Sequence, residues 1–117
     1  MLINTPISLG ELVDKISILI IKKKNISDSI KLEHVTKELD FLQKTLKEYI
    51  SEDKINKFIQ QLININSKLW KIEDDIRECE RKKIFDQTFI DLARSVYFTN
   101  DERAKVKNDI NKTFGSE

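Results

Sequence analysis

Residues 51–84 read SEDKINKFIQQLININSKLWKIEDDIRECERKKI, and this stretch contains neither glycine nor proline. Its apolar side chains recur at alternating steps of three and four residues, at Ile55, Phe58, Leu62, Ile65, Leu69, Ile72, Ile76 and Cys79. Such heptad spacing is typical of a helix that packs lengthwise against another helix. The stretch therefore predicts one long helix, with the Cys79 thiol buried in its seam.

Weaker patterns on both sides of this stretch predict three more helices. Ser8 and Glu11 form a capping box, in which each side chain can bond the backbone amide of the other residue. Ser51 and Asp86 are suitable N-caps for the third and fourth helices, and Tyr49 ends the apolar seam of the second. We expect the fourth helix to continue through Thr99 without a break. The predicted helices span about 9–24, 30–50, 52–84 and 87–114, after an extended arm at 1–8.

These helices predict an all-α fold: one domain over 1–117, built as an elongated antiparallel bundle of four helices. Helices 3 and 4 should form a long hairpin of coiled-coil character. Helix 1 has apolar residues on two faces, because Ile18 and Ile21 lie opposite its main stripe, so it is either central or part of a second interface. Helix 3 is longer than helices 1 and 2 and would leave apolar surface bare. We therefore expect a homodimer, in contact through Ile18 and Ile21 or through the end of helix 3.

Composition narrows the possible partners. The 117 residues include 21 basic and 20 acidic side chains, a formal net charge of +1. A nearly neutral chain has no overall electrostatic attraction for nucleic acid or for an anionic membrane. No apolar run approaches the length of a membrane span, and the first residues do not resemble a signal peptide. With Cys79 as the single cysteine, the expected location is the cytoplasm.

Few catalytic chemistries fit this chain. Di-iron helical bundles need Glu-x-x-His on two helices, whereas His34 is the only histidine and Lys31 stands three residues before it. One cysteine and one histidine are too few for a zinc site. No glycine-rich loop could cradle a phosphate. We therefore assign no catalytic residue and no metal ligand.

One enzymatic alternative stays open, because acidic residues recur at helical spacing. The candidates are Glu11 and Asp14 on helix 1, and Glu73, Asp74, Asp75 and Glu78 on helix 3. All-helical nucleotide pyrophosphohydrolases use acidic motifs of this kind to hold Mg²⁺, which prefers oxygen ligands. The alternative function is therefore an enzyme for a small molecule or phosphate ligand, with Mg²⁺ as its only cofactor.

Polar residues set into apolar helix faces are the second signal. Asn100 and Arg103 share a face of helix 4 with Val96, and Glu73 stands four residues before Arg77, the spacing of an intrahelical ion pair. The planar guanidinium of arginine forms bidentate bonds that lysine cannot form. These residues are either structural ion pairs between helices 3 and 4 or the lining of a pocket for an anion or a partner carboxylate.

Three stretches also resemble a family of short bacterial proteins of unknown function. They are ISLGELVDK at 7–15, LWKIED at 69–74 and LARSVY at 92–97, and the resemblance covers nearly the whole chain. It implies roles for polar motif residues that capping and packing do not require. Together with the residues above, the candidate ligand- or partner-binding cluster is Glu11, Asp14, Lys15, Glu73, Asp74, Arg77, Arg94, Tyr97, Asn100, Asp101 and Arg103.

From these patterns we predict a non-enzymatic binding or scaffolding module that acts through protein contacts. Arg94, Tyr97 and Asp101 share one face of helix 4 and should lie near the carboxylates of helix 1 or helix 3, because a buried arginine requires a counter-charge. Convergence of the cluster on an open cleft would favour the enzyme. Closed ion pairs in a dry interface would favour the module.

Overall fold

The computed structural model describes residues 1–115 and contains four helices and no strand within them. The helices are α1 (Leu9–Asn25), α2 (Ser29–Tyr49), α3 (Glu52–Lys82) and α4 (Gln87–Phe114). The prediction of an all-α, elongated bundle with a long α3–α4 hairpin is confirmed, and the described part measures 48 × 35 × 26 Å along its principal axes. The last two residues of the predicted 1–117 domain lie outside the described residues.

The helix ends follow from local hydrogen bonds. The Ser8 hydroxyl accepts a bond from the amide of Glu11 at 3.2 Å, as the capping box predicts. The Ser51 side chain makes no capping bond, although Ser51 stands at the N-cap of α3. Helix α3 ends at Lys82, two residues before the predicted end, because Lys83 adopts the left-handed conformation at φ 55° and its amide bonds the carbonyls of the last turn.

Helix α1 lies at the centre of the fold and packs against α2, α3 and α4. Ile21 is only 4% exposed within the single chain. The two apolar faces of α1 therefore serve the core, and the idea that Ile21 supplies a dimer contact is wrong. The core is formed by apolar side chains from all four helices, among them Leu12, Val13, Ile16, Leu39, Leu46, Ile55, Phe58, Leu62 and Ile110.

Helix α2 packs chiefly on α1, whereas α3 and α4 pack on each other along their length. The seam of α2 ends at Leu46, because the Tyr49 side chain is exposed rather than in the seam. Cys79 is half-buried, not buried as expected, and none of the α3 residues from Trp70 to Lys82 is buried. Helix α4 is continuous through Thr99, which is buried. Within residues 1–115, none of the helices combines the length and apolar character that a membrane span requires.

Candidate functional site

A buried polar network joins α1, α3 and α4 at mid-height in the bundle. The Asp14 side chain, on α1, accepts two bonds from Arg103 on α4: Nε to Oδ1 at 2.9 Å and Nη2 to Oδ2 at 2.5 Å. Asn66, on α3, donates to Asp14 Oδ1 at 3.0 Å and to the Ser17 hydroxyl at 2.9 Å. The Ser17 hydroxyl in turn donates to the Asp14 carbonyl at 2.6 Å. One carboxylate thus fixes the relative position of three helices.

The network is closed to solvent on the side of α1. Asp14, Ser17 and Asn66 are all buried, and 28% of the Arg103 side chain remains exposed. Among the described residues, every buried side-chain nitrogen and oxygen has a hydrogen-bond partner. A buried charge is tolerated when it is paired and hydrogen-bonded in this way. Asp14 therefore has a structural role in this arrangement, because its carboxylate is already bonded to Arg103 and Asn66.

The charges of the network reinforce each other. Burial alone would raise the pKa of Asp14, but the hydrogen bonds from Arg103 and Asn66 outweigh burial and hold that pKa below its ordinary value. The hydrogen bonds to Asp14 raise the pKa of Arg103 against its partial burial, and the carboxylates of Glu11 and Glu73 add to the effect. Asp14 is therefore a carboxylate and Arg103 a guanidinium at neutral pH.

A second set of contacts joins the start of α1 to the end of α4. The Gly10 amide donates to Asn111 Oδ1 at 2.7 Å, and the Lys107 ammonium pairs with Glu11 at 2.5 Å. The helices approach so closely that a Cβ built on Gly10 would stand 2.5 Å from the Lys107 carbonyl oxygen and 2.9 Å from Asn111 Oδ1. Glycine is therefore required at this crossing.

The structure brings part of the predicted cluster together. Asp14 and Arg103 form the central pair, and Arg103 Nη1 also reaches Asn100 Oδ1 at 3.5 Å. Glu11 and Glu73 act on Arg103 through their charge. Sequence reasoning missed Asn66, although Asn66 stands four residues after Leu62 and three before Leu69 and is thus a polar residue set into an apolar stripe. The same signal had identified Asn100 and Arg103.

Other predicted residues remain on the surface and pair locally. Arg77 contacts Asp74 at 3.3 Å and Glu73 at 3.9 Å within α3. The Lys15 ammonium pairs with Glu38 of α2 at 3.2 Å. These are exposed ion pairs, which contribute little to stability and do not converge on one cleft.

The expectation that Arg94 pairs with a carboxylate of helix 1 or helix 3 is wrong for the part of the chain that the structure describes. Arg94 is exposed on α4, and its guanidinium carbon lies 5.6 Å from the centre of the Phe98 ring. Tyr97 is 66% exposed and packs edge-on against the same ring, with 5.6 Å between ring centres. Asp101 is also exposed. The α4 face that carries Arg94, Tyr97 and Asp101 points away from both predicted partner helices because the inner face of α4 is occupied by Val96, Thr99 and Arg103.

A cleft between the N-terminal arm, α2 and the end of α4 lies elsewhere. It is lined by the N-terminal arm at Thr5–Leu9, the second half of α2 including Phe41 and Tyr49, and Phe114 at the end of α4. None of the residues of the predicted polar cluster is among those that line it. Among residues 1–115, no group of three His, Cys, Asp or Glu side chains is placed to hold a metal ion.

Comparisons with known proteins identify a family for this chain but no activity. No curated protein matches the chain, and no solved structure matches it. One protein-family model, described as a family of unknown function (DUF6165), matches residues 3–116. The match covers nearly the whole chain, as the resemblance of the three motifs had implied. The chain therefore belongs to the family of unknown function DUF6165.

Proposed function

We propose that this protein is a non-enzymatic helical module that acts through protein–protein contacts. The contacts are made by the distal hairpin, defined as residues 70–98: the second half of α3, the connecting segment and the first part of α4. One observation carries the proposal. None of the residues from Trp70 to Phe98 is buried in the single chain, although the hairpin contains apolar and aromatic side chains throughout.

The exposed apolar side chains of the distal hairpin are not needed for the core. Five large ones are exposed: Ile84, Phe85, Ile90, Tyr97 and Phe98. A hairpin of two helices leaves much of its surface in contact with solvent, so the distal hairpin gains less from apolar burial than the four-helix core does. Exposed apolar side chains concentrated in one part of a soluble protein are typical of a protein contact. Aromatic residues and arginine are the types that dominate binding energy at such contacts.

The polar network supports the same interpretation. Asp14 and Arg103 are paired in a buried, fully bonded site, whereas the remaining charges of the predicted cluster lie apart on the surface. An enzyme for a phosphate ligand would need several of them around one open cleft. We propose further that the module works as a homodimer in the cytoplasm, where the free thiol of Cys79 is in keeping with a reducing compartment.

A photo-crosslinking experiment tests the proposal. The photoreactive residue p-benzoylphenylalanine replaces Tyr97 in one variant and Phe41 of α2 in a matched control, because both side chains are 66% exposed. Irradiation in growing cells should give discrete protein adducts with the label at position 97 and few at position 41. Absence of adducts at 97, or equal adducts at both positions, would contradict the assignment to the distal hairpin.

A thermal-shift screen with Mg²⁺ and nucleotides tests the enzymatic alternative. A ligand that binds only the folded chain at 100 times its Kd would stabilise the chain by about 2.7 kcal/mol. We expect no shift, since the Asp14 carboxylate is already satisfied by Arg103 and Asn66. A shift that requires both Mg²⁺ and a nucleotide, and that Asp14→Asn abolishes, would favour the enzyme instead.

A further inference from the structure

The outer face of α4 carries a short stripe with coiled-coil spacing. Ile90, Arg94, Tyr97 and Asp101 follow one another at steps of four, three and four residues, so they lie on one side of the helix. All four are exposed. This side lies opposite the row of Val96, Thr99 and Ile110, which packs inward. We call these four residues the α4 stripe.

We infer that the α4 stripe docks against the α4 stripe of a second copy, antiparallel, with the twofold axis beside Tyr97 and Phe98. The inference rests on the proposed function and names the partner of the distal hairpin, with the contact surface extended along α4 to Asp101. In a twofold contact the same surface of both copies takes part. Each pair of contacting residues therefore occurs twice, once in each direction, and the surface must complement itself. The question is therefore whether the stripe is self-complementary.

The charges of the stripe meet this requirement. Arg94 and Asp101 are of opposite sign and stand at equal distances from the midpoint between Tyr97 and Phe98. An antiparallel contact about that midpoint places Arg94 of each copy level with Asp101 of the other copy, which forms two ion pairs. A parallel contact would place Arg94 against Arg94 and Asp101 against Asp101. Charge complementarity therefore selects the antiparallel arrangement.

Within the single chain these two charges are available. Neither Arg94 nor Asp101 has an ion-pair partner among residues 1–115, and the Arg94 guanidinium carbon lies 5.6 Å from the centre of the Phe98 ring. The aromatic rings of Tyr97 and Phe98 are in contact with each other and lie at the proposed axis. The centre of the contact would thus be two exposed aromatic rings from each copy, flanked on both sides by an ion pair.

Charge exchange tests the register in the full chain. Sedimentation velocity of the wild type at about 50 µM should give twice the mass of 13.8 kDa, since specific dimers of standard size form at or below this concentration. Arg94→Asp and Asp101→Arg should each raise the dimer Kd at least tenfold, and the double variant should restore it to within about threefold. The control Lys37→Asp, on α2, should leave it unchanged. A monomeric wild type, or a dimer that Arg94→Asp does not weaken, would overturn the inference.

Disulfide trapping tests the direction of the contact. In a Cys79→Ser background, Tyr97→Cys should form a disulfide with its own symmetry mate, because position 97 lies at the axis. Ile90→Cys should not, since the two copies of position 90 would be about 22 Å apart along the helices at 1.5 Å per residue, far beyond disulfide reach. Efficient trapping at both positions would indicate a parallel contact and overturn the inference. The variants at Ile90, Arg94, Tyr97 and Asp101 should keep the wild-type circular dichroism, because these four side chains are exposed.

The two proposals fail separately. Crosslinks from position 97 to a different protein, with the chain itself monomeric at all concentrations, would overturn the twofold contact and leave the protein-contact module standing. Both proposals would be overturned if the chain dimerises but Tyr97→Cys forms no disulfide across the dimer, and if the label at position 97 gives no crosslinks.

Discussion

Replacing Arg103 by methionine should destabilise the chain, because the buried Asp14 carboxylate would lose its counter-charge. Methionine keeps much of the apolar volume of arginine, so the main effect is the loss of two charge-assisted bonds to Asp14. Removing one partner of a buried ion pair costs about 3–5 kcal/mol. Because 28% of the Arg103 side chain is exposed, solvent can partly reach the site, and we expect about 3 kcal/mol, the lower end of that range.

The loss of unfolding free energy in Arg103→Met should depend on pH, and the direction of this dependence tests whether the Asp14 carboxylate causes the loss. In the wild type the pKa of Asp14 is lowered, so its pair stabilises the fold above the unfolded pKa near 3.8, and this contribution is lost as the pH falls through the folded pKa. In Arg103→Met, burial acts against one remaining hydrogen bond and raises the pKa of Asp14. Protonation then relieves the buried charge. The difference in unfolding free energy between the two proteins should therefore shrink from pH 7 to pH 4.

Urea denaturation followed by circular dichroism at pH 7 and pH 4 measures both effects. The matched control is Lys68→Met, which breaks an exposed α3–α4 ion pair with Glu102 and should cost less than about 1 kcal/mol at either pH. A loss below about 1 kcal/mol for Arg103→Met at pH 7 would refute the structural role of the network. A larger loss that is equal at both pH values would show that the buried charge of Asp14 is not its cause.

Four further substitutions have expected outcomes in thermal or urea unfolding. Gly10→Ala should cost about 1–3 kcal/mol, because the new Cβ would meet the backbone carbonyl of Lys107 at 2.5 Å, and backbone cannot rotate away. Asn66→Ala should cost about 1–3 kcal/mol, because it removes the donor to two buried acceptors. Asp28→Ala should cost about 1 kcal/mol, since Asp28 caps α2, whereas Ser51→Ala should cost much less because its side chain makes no capping bond; equal losses in these two variants would count against the cap assignment.

Periodicity was sufficient for the architecture, because the burial of an apolar stripe is a local consequence of helical spacing. It also indicated that α1 is either central or part of an interface, and the structure resolves this choice in favour of the centre. The exact end of α3 could not be predicted. It depends on Lys83 adopting the left-handed conformation, which propensity assigns to glycine or asparagine.

The site was harder to predict than the fold, because its partners come from different helices. Arg103 was identified from its place in an apolar stripe, and the structure pairs it with Asp14, 89 residues away in sequence. The same reasoning gave Arg94 a carboxylate partner that the described structure does not contain. Arg103 and Arg94 lie nine residues apart, which turns them to nearly opposite sides of α4. Composition alone could not show that one side is buried and the other exposed.

Asn111 and Lys107 were missed for a related reason. Each contacts the start of α1, and that contact exists only because Gly10 allows the helices to approach. A glycine inside a helix is a signal of close packing, but the sequence does not say which helix will be the neighbour.

The most direct test of the account is amide hydrogen exchange of residues 87–98 as a function of protein concentration. If a second copy covers the outer face of α4, the protection of these amides should rise at least tenfold between about 1 µM and about 500 µM chain, while α1 exchanges equally at both concentrations. Identical exchange of residues 87–98 at the two concentrations would contradict the claim that the distal hairpin is a contact surface for this chain.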